Sequence, residues 1–282
     1  MPLISNAYGK GRVRVMRVHR DGDRNEVREL TVKTMLEGGF ESAYTAGDNA
    51  AVVATDTIKN MAYIVARENM TACAEEYAQK LAARFLERYP QVKRATVHTA
   101  ETKWVRAVLG GTAHPHSFLL DSNGRPTVAL SAGRDGTASV TSGITGFTFM
   151  KSTQAGWVGY VMDGYTTLPE TRDRLAATAM DATWTWMAAP PDYPAANARI
   201  LGTMLEVFGT TYSHGVQDSL YRMGEAALAA VPELGTISMS CPNKHYIPVN
   251  LDHFGLSADN LVFAATDEPH GQIECTVGRA AV

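Results

Sequence analysis

Residues 52–60, VVATDTIKN, end an apolar run on Thr55-Asp56-Thr57 and open a helical pattern. Two readings fit that spacing. The chain presents a reactive hydroxyl at Thr55, or Thr55 or Asp56 is a helix N-cap whose side-chain oxygen accepts a bond from an orphan N–H. Other polar residues stand where chemistry is possible. Lys10 lies in AYGKGRVRV, and Arg174 in LPETRDRLAATAMDATW. Gln217 sits at the start of a helical pattern, where backbone N–H groups point at whatever lies before them. Asn243 and His245 follow Cys241-Pro242, a dipeptide expected to break the strand ladder and leave both side chains at a bent strand end. Each also has an ordinary account: a solvated lysine before an edge strand, a surface cation, a satisfied structural histidine.

Cofactor signatures are missing. The sequence holds no G-x-G-x-x-G after a strand, no G-x-x-x-x-G-K-[ST], no H-E-x-x-H and no G-x-S-x-G. His114 and His116 would face the same side of a strand, yet a pair falls short of the three or four ligands a zinc site uses. Chemistry without a bound metal or redox group is the expectation, with no cofactor.

The elements that must position these residues follow from periodicity. Alternating stretches at 12–20 and 26–36, separated by DGDRN, read as a long antiparallel hairpin. Ile58, Met61, Ala62 and Val65 mark one helix; Ala74, Tyr77, Ala78, Leu81 and Phe85 mark a second that stops before Pro90. Strand-like stretches follow at 95–109, 116–121 and 127–132. The second half repeats the order: strands at 146–151 and 182–189, then helices marked by Leu201, Met204, Leu205 and Phe208 and by Val216, Leu220, Met223 and Ala227. In TISMSC, Ile237, Met239 and Cys241 share one face, and residues 272–279 form a last strand. The order predicts an α+β chain of two similar units, residues 1–135 and 136–282, joined near 133–142. Sheets with helices on one face keep open edges, so pairing with another subunit is expected.

Composition agrees. The 282 residues, 45% hydrophobic and 20% charged, can bury a sizeable core. A net charge of −3 and a pI near 6.2 give no basic field for nucleic acid. The three cysteines, Cys73, Cys241 and Cys275, are far apart and read as reduced core thiols. Neither a membrane span, a signal-peptide core nor a peroxisomal Ser-Lys-Leu type address is seen, so a cytoplasmic protein is expected.

Taken together, YGKGRVRV, VVATDTIKN, HPHSF, KSTQAGWVGYVMDGYTTLPETRDR, DATWTW, VQDSLYRM and CPNKHYIPVNL resemble the urate oxidase (uricase) family, in order from Tyr8 to Arg279. The resemblance implies the tunnelling fold: two ββααββ-like units per chain, sheets closing into a barrel on dimerisation, and a homotetramer whose active sites use residues of two chains. It implies a reaction of urate with O2 and water, giving 5-hydroxyisourate and hydrogen peroxide. Arg174 and Gln217 resemble the pair that grips the ring, with the Val216 backbone N–H as a further donor. Lys10 and Thr55 resemble the catalytic dyad, His245 completes a proton relay, and Asn243 holds dioxygen or water. Asp56 resembles a neighbour that contacts substrate through its backbone, and Lys59 is not the expected reactive lysine.

One position departs from the pattern. Trp157 falls where the family usually carries a phenylalanine that stacks on the substrate. Indole can stack on a purine with a larger face, but it also fills more of the pocket. That departure prompts an alternative, a relative oxidising or binding a different purine- or pterin-like ring; a local shift leaving Trp157 in the core is the ordinary account.

Overall fold

In the computed structural model, which describes residues 1–257 and 260–279, the chain divides into two compact units, Met1–Gly143 and Ile144–Val282. The first opens with a hairpin of β1 (Tyr8–Asp21) and β2 (Arg24–Gly38), paired from Asp21↔Arg24 to Tyr8↔Leu36. Gly22 makes the turn possible with φ of +55°, a left-handed conformation that costs a residue without Cβ little. Strand alternation buries Val13 and Val15 on one strand and Leu30, Val32 and Leu36 on the other.

A short helix α1 (Glu41–Thr45), which periodicity did not predict, buries none of its residues. The two expected helices are α2 (Thr55–Glu68) and α3 (Ala74–Arg88). Their apolar stripes, Ile58, Met61, Ala62 and Val65 on one and Tyr77, Ala78, Leu81 and Phe85 on the other, enter the same core as the hairpin. Cys73 caps α3: the Glu76 N–H donates to its Sγ at 3.5 Å, and its own N–H donates to Glu76 Oε2 at 2.9 Å. Beyond the helices, β3 (Val92–Leu109) pairs with β2 and, on its other side, with β5 (Arg125–Gly133), while β4 (Thr112–Asp121) takes the distal part of β3.

Strand β6 (Ala138–Lys151) starts earlier than the sequence suggested, and β7 (Ala176–Trp186) begins before and stops short of the expected 182–189. Helices α4 (Tyr193–Thr210) and α5 (Val216–Ala230) follow, then β8 (Leu234–Pro248) and β9 (Phe263–Gly278). The order in the second unit is β6-β7-β8-β9, and neighbouring strands β7, β8 and β9 pair antiparallel. Its core joins Met180 and Trp184 of β7, Ile200 and Met204 of α4, Leu220 and Met223 of α5, and the predicted face Ile237, Met239 and Cys241 of β8. No helix among the described residues is long and apolar enough to cross a membrane.

Pro242 does not end the strand. β8 runs through it, because on the β7 side the pairing passes from Asp181↔Ser240 to Thr178↔Asn243 and leaves Pro242 in the gap, where no N–H is needed. The irregularity on the β9 side comes one step later, between Asn243 and His245.

Candidate active site

In the second unit, residues 154–157 are held between two other segments. Gly156 N–H donates to Ser213 O at 2.9 Å, Trp157 N–H to Thr171 O at 2.7 Å, and Arg174 N–H to Ala155 O at 2.9 Å. The Tyr212 hydroxyl, donating to Arg172 O at 2.8 Å, sits so close that a Cβ on Gly156 would lie 2.2 Å from it. This lattice fixes both Trp157 and Arg174 although neither lies in a long strand or helix. Arg174 is half-buried, and burial pulls its guanidinium below its ordinary pKa. Its Nε donates to Gly156 O at 3.4 Å, and among the described residues no carboxylate pairs with it. A partly desolvated cation with no anionic neighbour attracts a planar anion.

Arg174, Val216 and Asn243 line one cleft together with Phe149, Phe208, Thr178, Ser213 and Gly215. Val216 begins α5, whose N-cap is Gly215 and which carries no side-chain cap. The first N–H groups of α5 are therefore free of a capping oxygen and point toward the cleft end of the helix. α5 is seated tightly: a Cβ on Gly224 would meet Val277 Cγ2 of β9 at 2.6 Å. Gln217 and Trp157 converge on Gly215, since a Cβ built there would lie 2.8 Å from Trp157 Cζ3 and 3.2 Å from Gln217 Oε1. Asn243 lies next to Thr178 across β7–β8, and its Oδ1 is buried without a hydrogen-bond partner among the described residues. A buried acceptor without a partner is uncommon in folded proteins, and this one belongs to a residue of the cleft wall. His245 follows two residues along the same strand, partly exposed, opposite Thr266 of β9.

The first unit gathers Lys10, Thr55 and Asp56. The β1–β2 register shifts between Lys10 and Val13, and Arg12 takes φ of +56°, so a bulge re-aims the strand beside Lys10. Gly9 lets β1 approach β2 where a Cβ would lie 1.8 Å from Thr34 O. The Tyr8 hydroxyl accepts the Val53 N–H at 2.7 Å, tying this end of β1 to the residues just before α2. The capping reading fails here. The N-cap of α2 is Ala54, with no side-chain cap bond, because Thr55 and Asp56 already lie inside the helix. Asp56 instead binds Lys59 Nζ at 2.6 Å and Asn60 Nδ2 at 2.9 Å. The Lys59 ammonium holds the Asp56 carboxyl below its usual range, and the charge of Lys10 adds to that effect. The exposed Thr55 hydroxyl is not committed to its own helix, and Lys59 is ion-paired.

Thus the nine expected residues form two groups, Lys10, Thr55 and Asp56 in one unit and Trp157, Arg174, Val216, Gln217, Asn243 and His245 in the other. His114 and His116 share a face of β4, their rings 4.5 Å apart, but no cluster of three or more potential metal ligands exists among the described residues. Cys73 and Cys241 are buried, and burial pushes both thiols up to about 12. Sequence reasoning passed over Gly215 and Tyr160: a glycine before a helix looks like any cap, and nothing local shows which ring stacks on which.

The α+β chain, an antiparallel sheet beside paired helices, matches the tunnelling fold, and its second unit carries a cleft that joins Arg174, unpaired among the described residues, to the uncapped start of α5. The family model described as Uricase matches residues 6–131 and 140–274. The chain is 37% identical to the uricase of Aspergillus flavus, covering 98% of this chain and 96% of that protein. It is 39% identical to the uricase of Arthrobacter globiformis, covering 98% and 90%. The crystal structure of the Arthrobacter globiformis uricase superposes with a TM-score of 0.93 at 38% identity, over 100% of this chain and 96% of that one. The chain belongs to the uricase family.

Proposed function

We propose that the chain is a urate oxidase acting without a bound cofactor: urate, O2 and water give 5-hydroxyisourate and hydrogen peroxide. Beside family membership, the observation that carries this reading is Arg174, half-buried and without a carboxylate, in the same cleft as the uncapped start of α5. The guanidinium fork and the Gln217 amide match the carbonyl and N–H edge of a urate anion, and the Val216 N–H adds a donor. Trp157 supplies the stacking face. No observation favours a different ring.

The anion is electron-rich enough to pass two electrons to O2, so the protein's task is to bind, desolvate and move protons. Lys10 and Thr55 take a proton from the urate monoanion and return it to the oxygen as two electrons pass from the ring to O2; with a second proton from solvent the reduced oxygen leaves as hydrogen peroxide. Water held near Asn243 then adds to the dehydrourate, with His245 relaying its proton. Asp56, its carboxylate engaged by Lys59 and Asn60, contributes through its backbone. Following the family resemblance, which implies sites built from two chains, the proposed site draws Lys10, Thr55 and Asp56 from one subunit and the rest from another, in a cytoplasmic homotetramer serving purine catabolism.

The test is oxygen uptake measured with urate loss on purified protein, with a chelator present and no flavin added. Coupled consumption with peroxide release is expected; urate binding without consumption would overturn the reading.

A further inference from the structure

We propose that Gly215 is a specificity-determining position of this site: the space left by its missing side chain is the slot that admits the Trp157 indole and sets where the ring platform lies. The inference rests on the urate reading above and adds a residue to it. Gly215 has φ of 178° and ψ of 172°, extended backbone that any residue adopts, so conformation does not demand a glycine. Helix N-cap positions favour Ser, Thr, Asn and Asp at least as strongly, so capping does not demand one either. Space does. A Cβ at 215 would lie 2.8 Å from Cζ3 and 3.2 Å from Cε3 of Trp157, against an optimum of about 3.5–4.0 Å for two carbons.

The indole cannot simply retreat. Tyr160 stacks on one of its faces, with ring centres 5.5 Å apart and planes 14° apart, and the Tyr160 hydroxyl donates to Leu168 O at 2.5 Å. The Trp157 backbone is bonded in both directions to Thr171, at 2.7 and 3.0 Å. One face and the backbone are thus fixed, and the benzo edge lies against position 215. Gln217 Oε1 lies 3.2 Å from the same Cβ position, so a side chain at 215 crowds the amide and the ring together. A smaller ring at 157 would not need the slot.

The test is a mutant cycle of Gly215→Ala and Trp157→Phe, read by urate KM and kcat and by the aromatic signal in near-ultraviolet circular dichroism. Gly215→Ala is expected to raise KM about tenfold with kcat changed less than about threefold, the pattern of lost ground-state and transition-state binding together. In the Trp157→Phe background the same substitution should change KM less than about twofold, and contacting residues couple in this way. The aromatic signal should respond to Gly215→Ala only when Trp157 is present. Gly215→Ser, which brings the same Cβ with a capping oxygen, repeats the test if Gly215→Ala folds poorly. Equal KM effects in both backgrounds, or an aromatic signal indifferent to position 215, would overturn the slot. A wild-type protein without urate turnover but with the coupled aromatic signal would overturn the urate reading and keep the slot as part of another ligand's site.

Discussion

Lys10 stands beside a bulge on β1, near enough for its charge to act on Asp56, and Thr55 turns an uncommitted hydroxyl outward from the first turn of α2. In the proposed reaction this pair moves protons and need not grip the substrate. Lys10→Met is therefore expected to leave urate binding intact while lowering turnover by about two decades, the usual size of lost acid–base help. Stopped-flow turnover beside equilibrium urate binding checks it, and unchanged turnover would remove Lys10 from the chemistry. The residue types at both groups were readable from VVATDTIKN, YGKG and VQDS. The capping role was not, because whether Thr55 or Ala54 precedes the helix depends on where backbone bonds begin, and several starts fit the same pattern.

At the scale of elements, Arg17 shows how a charged residue can join a strand to a helix pair. It is 3% exposed on β1, and its guanidinium donates to Asn69 O at 2.6 Å and Ala72 O at 2.8 Å, the carbonyls of the α2–α3 connection. Its side chain also lies over the Tyr77 ring, at 5.5 Å, while the Tyr77 hydroxyl donates to Ala62 O at 2.9 Å. Arg17→Met keeps the apolar stem but strands two buried carbonyls, so a loss of about 3 kcal/mol is expected. Urea midpoints of the two proteins at equal concentration measure it; a change under about 1 kcal/mol would mean water replaces the guanidinium. In the sequence, RVRVMRVHR shows this position only as a polar break in a buried face.

For the whole molecule, two outcomes follow from charge and assembly. Glu29, 6% exposed, accepts from Arg14 and from Trp104 Nε1 at 2.9 Å, and these bonds hold its carboxyl below the ordinary value. Its folded pKa is depressed, so its contribution is fully present above the unfolded value of 4.5 and is lost as pH falls through the folded one. Asp121, bound by Lys103 Nζ at 2.7 Å, works in the same direction. Glu101, pushed up by burial, works in the other and softens the loss. Glu29→Gln should flatten the acid limb of a stability-against-pH curve, and an unchanged limb would assign it elsewhere. The proposed sharing of sites between subunits is tested by complementation. Lys10→Met and Arg174→Ala subunits, each inactive alone, should regain up to about a quarter of wild-type activity when unfolded and reassembled together, because random pairing rebuilds that share of sites. No recovery would place the whole site in one chain.

The sequence alone determined the long hairpin, the apolar stripes of four helices and the buried face of β8, because alternation and helical period are local properties of the chain. It also held the residue types of the proposed site, within motifs whose order resembles the family. What only the tertiary structure decided is where non-local contacts rule. Pro242 stays inside β8 because a gap in the pairing with β7 receives it. α1 forms without burying a side chain and so left no periodic trace. The slot proposed at Gly215 depends on an indole 58 positions earlier in the chain, held 2.8 Å from where a Cβ on Gly215 would stand by the packing of residues 154–157 against 171–174 and 212–213. Distance along the chain carries no record of such a contact, since excluded volume acts only once the fold has brought the two residues together.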